Sequence, residues 1–147
     1  MDVAVCFLLG VLFAVQGLKV KFSKYNQSSL NSNSSGPMNA VDGNVLSSSI
    51  TIIGVNEFWC GEFDRPHKIS SMFVVVGKGK QRIFVGYGLT DRPSHLCVEI
   101  LTPPAYDFIN MNVTCKQALE GDTVTVRRVG NGSLILNEII PIGEREE

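Results

Sequence analysis

The feature that most constrains this chain is a succession of short β-branched and aromatic runs, cut at close intervals by Gly, Pro and Asn, with almost no helical periodicity. The clearest runs are Ser49–Val55, Ile69–Val76, Arg82–Tyr87, Leu96–Leu101, Asp107–Thr114, Thr123–Val129 and Ser133–Ile139. Branched and aromatic side chains pack well on a pleated surface, and turn residues at this spacing close each strand. The pattern predicts an all-β sandwich or barrel. Val124 and Val126 alternate with polar neighbours, as do Leu134 and Leu136, and Gly130-Asn131-Gly132 lies between the two segments. That reads as a hairpin whose glycines supply positive φ. Residues 26–36 read as a long polar loop, no internal repeat is present, and the charged tail Gly143–Glu147 reads as frayed.

Val3 to Val15 is almost wholly apolar, and Val15-Gln16-Gly17 offers small residues where a leader would be cleaved. The run is shorter than the roughly 20 residues a bilayer span needs. It departs from the usual leader in carrying Asp2 and no preceding Lys or Arg. The reading is a signal peptide over 1–17 and one secreted, extracellular domain over 18–147, with no membrane span. A net charge of -1 with no basic block argues against nucleic acid or an anionic membrane as partner.

Loss of the leader removes Cys6 and leaves Cys60, Cys97 and Cys115. In an oxidising compartment the natural pair is Cys97 with Cys115. Cys60 is then either a buried free thiol or the site of an intermolecular bridge, which would make an oligomer. Glycosylation sequons stand at Asn26, Asn33, Asn112 and Asn131, as in a secreted glycoprotein.

Asn39-Ala40-Val41-Asp42-Gly43-Asn44 is rich in oxygen and is followed by Ser47, Ser48 and Ser49. Asp-Gly-Asn is ordinary turn chemistry. The same residues offer a carboxylate, amide oxygens and a glycine that lets backbone curl around a hard cation. Taken alone, the loop supports the turn more than the metal.

Several segments, in order, resemble fucolectin-type (F-type) lectins and their discoidin-like relatives. Val20 to Ser29 resembles the opening strand and Gln-Ser-Ser of that family, and Asn39–Asn44 its Asn-Ala-x-Asp-Gly-Asn loop. Phe58-Trp59-Cys60-Gly61-Glu62-Phe63 resembles its Trp-Trp-x-Val-Asp-Leu strand, continued by Arg65-Pro66-His67-Lys68-Ile69. Phe84-Val85-Gly86 fits its Ile-x-Val-Gly strand, and Leu134 to Ile139 its closing Leu-x-Leu-Cys-Glu-Val strand. The resemblance covers nearly all of the chain after the leader. It implies a jelly-roll β-sandwich of about eight antiparallel strands and a disulfide at Cys97 and Cys115. It also implies calcium held by the carbonyls of Asn39, Asn44 and Asn137, the carboxylates of Asp42 and Glu138, and a serine of 47–49, with Ser49 the assigned one. Glu138 is the telling residue, because a carboxylate on an apolar strand is costly unless paired or on a metal. With it, the loop reads as metal-binding.

The family's sugar site carries over less well. Fucose-binding members resemble one another in a loop His and an Arg-x-Asp turn; here Ser48–Thr51 holds no His, and Gly77-Lys78-Gly79-Lys80-Gln81-Arg82 holds no Arg-x-Asp. Lys78, Lys80 and Arg82 are the substitute candidates for ligand binding, against the plainer reading of a solvated hairpin. Asp91 and Arg92 near His95 read as a surface turn, His67 as a turn residue, and Trp59 as core. No nucleophile motif accompanies His67 or His95, and neither Cys-x-x-Cys nor a His pair at zinc spacing occurs, so the chain does not read as an enzyme. The functional expectation is a glycan-binding lectin of altered specificity, its partner a glycan or cell-surface glycoprotein. The alternative is a lectin-derived module that binds protein or serves a structural role.

Overall fold

The computed structural model describes residues 17–88 and 94–144. The expected leader, apart from Gly17, and the Asp91-Arg92 pair lie outside the described residues. The strands, in chain order, are β1 (Leu18–Lys19), β2 (Lys24–Gln27), β3 (Ser49–Ile50), β4 (Gly54–Val55), β5 (Phe58–Gly77), β6 (Gly79–Gly86), β7 (His95–Thr102), β8 (Phe108–Arg128), β9 (Asn131–Gly132) and β10 (Ile135–Gly143). A 3-10 turn, Pro37–Ala40, precedes β3. Among the described residues no helix is long and apolar enough to cross a membrane.

Strands pair antiparallel in the order β1-β10-β5-β8-β6-β7, with β2 on β5 and β3 on β10. The two long strands serve both layers of the sandwich. Phe58–Glu62 pairs with Thr123–Arg127, whereas Ser71–Gly77 pairs with Phe108–Thr114. Between these stretches the register breaks twice, between Glu62 and His67 and between Ile69 and Ser71. Bulges of this kind bend a strand without ending it. Pro66 sits in the first break, where its missing N–H costs no ladder bond. The second break also explains why Asp107–Thr114 and Thr123–Val129 form one strand. Polar Lys116 and Gln117 interrupt the apolar run and are taken up as extra residues of β8. His67 likewise lies within β5, at its bend, and not in a turn before it.

One core lies between the layers. Trp59, Met72, Val74, Ile83, Val126 and Leu136 are fully buried in it, each large apolar side chain contributing about 1.5–3 kcal/mol over its exposed state. Trp59 is core, as read, with a polar tether: its indole N–H donates to the Pro37 carbonyl at 3.0 Å. Phe22 meets it edge-on, ring centroids 5.1 Å apart.

Two expected elements are different. Thr123–Val129 and Ser133–Ile139 are not a hairpin: β8 pairs with β5 and β6, and β10 with β5, β3 and β1. Both alternate because each lays one face on the same core, from opposite layers; alternation reports a buried face and not a neighbour. The glycines do take positive φ, +80° at Gly130 and +151° at Gly132, but they turn a corner between layers, where β9 pairs with β4. Ser49–Val55 is not one strand either. Its backbone is claimed piecemeal: the Ile50 N–H by the Ser35 carbonyl, the Thr51 N–H by the Leu134 carbonyl and the Ile52 N–H by the Ser29 hydroxyl. At the far end Gly143 still lies in β10, and the Glu144 N–H donates to the Lys68 carbonyl at 2.7 Å, so the tail is held that far.

Candidate functional site

The Asn39–Asn44 loop leaves the 3-10 turn and folds back on itself. Gly43 takes φ +77°, the Asn44 N–H donates to Asp42 Oδ1 at 2.9 Å and the Leu46 N–H to Asn44 Oδ1 at 3.0 Å. These turns bring three acceptor oxygens around one hydroxyl. Ser47 Oγ contacts Asp42 Oδ2, the Asn44 carbonyl at 2.9 Å and the Asn39 carbonyl at 3.3 Å. A hydroxyl has one proton to give, and the Asn44 carbonyl also accepts the Ser47 N–H at 3.1 Å, so the hydroxyl serves only one of Asp42 Oδ2 and the Asn39 carbonyl at a time. The Asn39 amide points away from this cluster, donating to the carbonyls of Ser34 and Ser48.

Glu138 reaches the same place from β10. A register shift between Leu136 and Glu138 breaks the strand's alternation, and Leu136, Asn137, Glu138 and Ile139 are all buried. Two of them serve the core and two face the loop. Asn137 Nδ2 donates to the Val45 carbonyl at 2.9 Å. Its Oδ1, and Oε2 of Glu138, are buried without a hydrogen-bond partner among the described residues. Burial, and then the charge of Asp42, push the Glu138 carboxyl up to about 7, against the opposing pull of the Gly43 backbone N–H. Orphaned buried acceptors, two carboxylates and two carbonyls on one hydroxyl form a cluster short of positive charge. That is the donor chemistry a hard cation such as calcium takes, and the residues present fit it.

Of the expected ligand set, Asn39, Asp42, Asn44, Asn137 and Glu138 come together. Ser49 does not join them: it is buried, and its hydroxyl is given to Gln27 Oε1. Ser47 stands in its place. Gln27 is the residue sequence reasoning missed. Its amide donates to the carbonyls of Ser29, Ser35 and Ile50, and so gathers the polar loop against β3.

The basic run is held at its turn and open on its strand. Gly77-Lys78-Gly79 is fastened by Thr102 Oγ1 donating to the Gly77 carbonyl at 2.8 Å, and by Gln81 Nε2 and Arg128 Nη1 donating to the Lys78 carbonyl. The Lys78 ammonium lies 3.5 Å from Asp107. Lys80 and Arg82 alternate outward on β6 while Gln81 and Ile83 point inward. Arg82 donates to Glu99 at 2.8 Å, and this bond holds the Glu99 carboxyl below its usual range. The corner behind Arg128 also exposes apolar side chains: Ile53 is 75% exposed and Val55 69%.

Cys97 on β7 and Cys115 on β8 are joined, with Cα atoms 4.4 Å apart. Cys60 is free and half-buried. Asn26, Asn33, Asn112 and Asn131 are all exposed, as sequon asparagines need to be.

No protein-family model matches this sequence, and no curated protein does. Solved structures do. A fucolectin from striped bass (Morone saxatilis) serum matches with a TM-score of 0.70 at 23% identity, over 83% of this chain and 47% of that one. This chain thus spans about half of that protein. A family 32 carbohydrate-binding module from C. perfringens NanJ, solved with galactose, matches at 0.67 and 14% identity, over 81% and 92% of the two chains. An F5/8 type C domain from Bacteroides fragilis matches at 0.69 and 12% identity, over 88% and 98%. Identities this low establish the fold, a discoidin-like β-sandwich.

Proposed function

We propose that this chain is a secreted carbohydrate-binding module of F-type-lectin character whose specificity differs from that of fucose binders. The observation that supports it is the likeness of the whole sandwich to modules solved with sugars. Fold alone does not confer function, so the weight falls on what the loops present. The fucose-type His and Arg-x-Asp are missing, and the basic residues Lys78, Lys80 and Arg82 take their place as candidates for sugar hydroxyls and acidic substituents. Asn39, Asp42, Asn44, Ser47, Asn137 and Glu138 would hold a calcium ion. Bound there, calcium supplies positive charge to the orphaned oxygens and ties the 39–47 loop to β10, a structural role. Nothing in this reading requires catalysis.

A second reading, a module that binds protein without sugar, is favoured by one observation: Ile52, Ile53 and Val55 stand exposed at the corner next to the basic turn. Exposed apolar clusters mark interaction surfaces more often than isolated residues do. A glycan array separates the two, run on folded protein with calcium and with chelator. Binding to a defined glycan class, weaker with Lys78→Ala and Arg82→Ala, is the expected result. Silence on every glycan from a folded sample would end the lectin reading and leave the protein-binding one.

A further inference from the structure

The outward side chains of β2, the start of β5, the end of β8 and β6 stand in rows across one layer. Cross-strand neighbours place Asn26 beside Cys60, Thr125 and Phe84, and Phe58 beside Arg127 and Arg82. Lys24 and Glu62 begin a third row. The part of this surface over β2, β5 and β8 is hollowed into a groove of about 540 Å³, a volume in the range of ligand sites.

Arg127 gives the groove its chemistry. Its guanidinium carbon lies 5.9 Å from the centroid of Phe58, and it makes no ion pair among the described residues. An arginine over an aromatic ring keeps its planar fork open for two parallel bonds to a carboxylate or sulfate. Along the same face Lys24, Lys80, Arg82 and Arg127 stand against Glu62 and Glu99, leaving cations in excess. Asn26 and Thr125 add neutral donors and acceptors, and Phe58 adds a ring on which the apolar face of a sugar can rest.

We propose that this groove binds an extended acidic glycan, a uronate or sulfated oligosaccharide, with one anionic group gripped by Arg127. The proposal rests on the glycan-binding reading and names its ligand class. From β2 to β6 is three interstrand steps, about 14 Å, room for more than one sugar ring. A peptide would find less to hold here. The backbone groups of β5, β8 and β6 under the groove are already engaged in their ladders, so strand addition could use only the outer edge of β2 and would leave the groove floor to other ligands. Cys60 lies in the groove. Burial, and then the charge of Glu62, push its thiol up, so it serves as a neutral wall and as a built-in reporter of occupancy.

The experiment uses the mature chain carrying Asn26→Gln, because an N-glycan on Asn26 would fill the groove and Gln keeps the amide. Affinity is measured calorimetrically for an alginate oligosaccharide, a heparin-derived oligosaccharide, a neutral dextran oligosaccharide and a poly-glutamate peptide. In parallel, the rate of Cys60 reaction with a maleimide is followed with each. Expected are binding of one or both acidic sugars, the two arms telling carboxylate from sulfate, and slowing of Cys60 labelling by that sugar. Arg127→Ala should weaken binding at least about tenfold, roughly 1.4 kcal/mol, Arg127→Lys should weaken it less, and Lys116→Ala, an exposed cation outside the groove lining, should leave it unchanged. Acidic sugar bound with Cys60 still reactive, or bound equally by Arg127→Ala, overturns the groove. So does poly-glutamate matching the sugars in affinity and protection. Binding of the neutral sugar alone overturns the groove and keeps the lectin reading; silence on all sugars, with the array also silent, ends both.

Discussion

Glu138 is a buried carboxyl with one oxygen left without a partner among the described residues. The residue is 3% exposed, and its carboxyl is raised from an ordinary 4.5 to about 7 by burial and by Asp42. A carboxyl raised on folding binds more protons in the native state than in the unfolded one between those values. The stability it contributes is therefore full below about 4.5 and is lost as pH rises through about 7. With a chelator present, the melting temperature should fall across that window. Glu138→Gln, which cannot ionise, should flatten the fall and melt higher than the parent above pH 7. Calcium should reverse the order, the parent then melting higher, because the ion supplies the charge the loop lacks. Calorimetric scans with and without calcium check this, and an order that does not reverse would sink the metal assignment. Glu138 was legible in the sequence because a carboxylate on an apolar strand asks for a reason. The choice of serine was not. Ser47, Ser48 and Ser49 look alike as letters, and only the fold shows Gln27 taking the hydroxyl of Ser49 and leaving Ser47 for the loop.

The corner from Arg128 to Leu134 shows what an element-level reading could and could not reach. Glycines at 130 and 132 announced positive φ, and both have it. Their partners were hidden, because Val124, Val126, Leu134 and Leu136 face one core from two layers and share the alternation of true hairpin strands. The two glycines also differ in a way no turn rule conveys. A Cβ on Gly130 would meet nothing within 4 Å, whereas on Gly132 it would lie 2.3 Å from the Nε of Arg128. Arg128 donates to the Lys78 carbonyl from that spot. Gly132→Ala should therefore cost more than Gly130→Ala. The latter should lose about 1 kcal/mol for φ alone. Gly132→Ala should lose about 2–3 kcal/mol, with part of it recovered by adding Arg128→Ala. Urea unfolding of the four proteins tests the order, and equal losses at the two glycines would contradict the packing argument.

At the scale of the molecule, two cross-links fasten opposite margins of the strand order. The Cys97–Cys115 bridge ties the last strand in that order, β7, to β8. The oxygen cluster joins the 39–47 loop to β10, which lies near the other end with only the short strands β1 and β3 beyond it. The bridge closes a sequence separation of 18, for which the chain-entropy model gives about 3 kcal/mol. The two groups share no residue and no hydrogen bond, and perturbations at separate, uncoupled sites add to within about 0.5 kcal/mol. Replacing both cysteines by Ala should thus cost about 3 kcal/mol whether or not calcium is present. Chelation should lower stability by the same amount in the bridged and the unbridged chain. A cycle of four denaturation curves, with and without the bridge and with and without calcium, measures the difference directly. A coupling well above 0.5 kcal/mol would mean that the two margins communicate through the long strands β5 and β8, which bend from one layer into the other. The groove proposed for acidic sugars lies on one limb of those strands. Such coupling would then make its shape depend on the metal, whereas additivity leaves the groove a fixed surface.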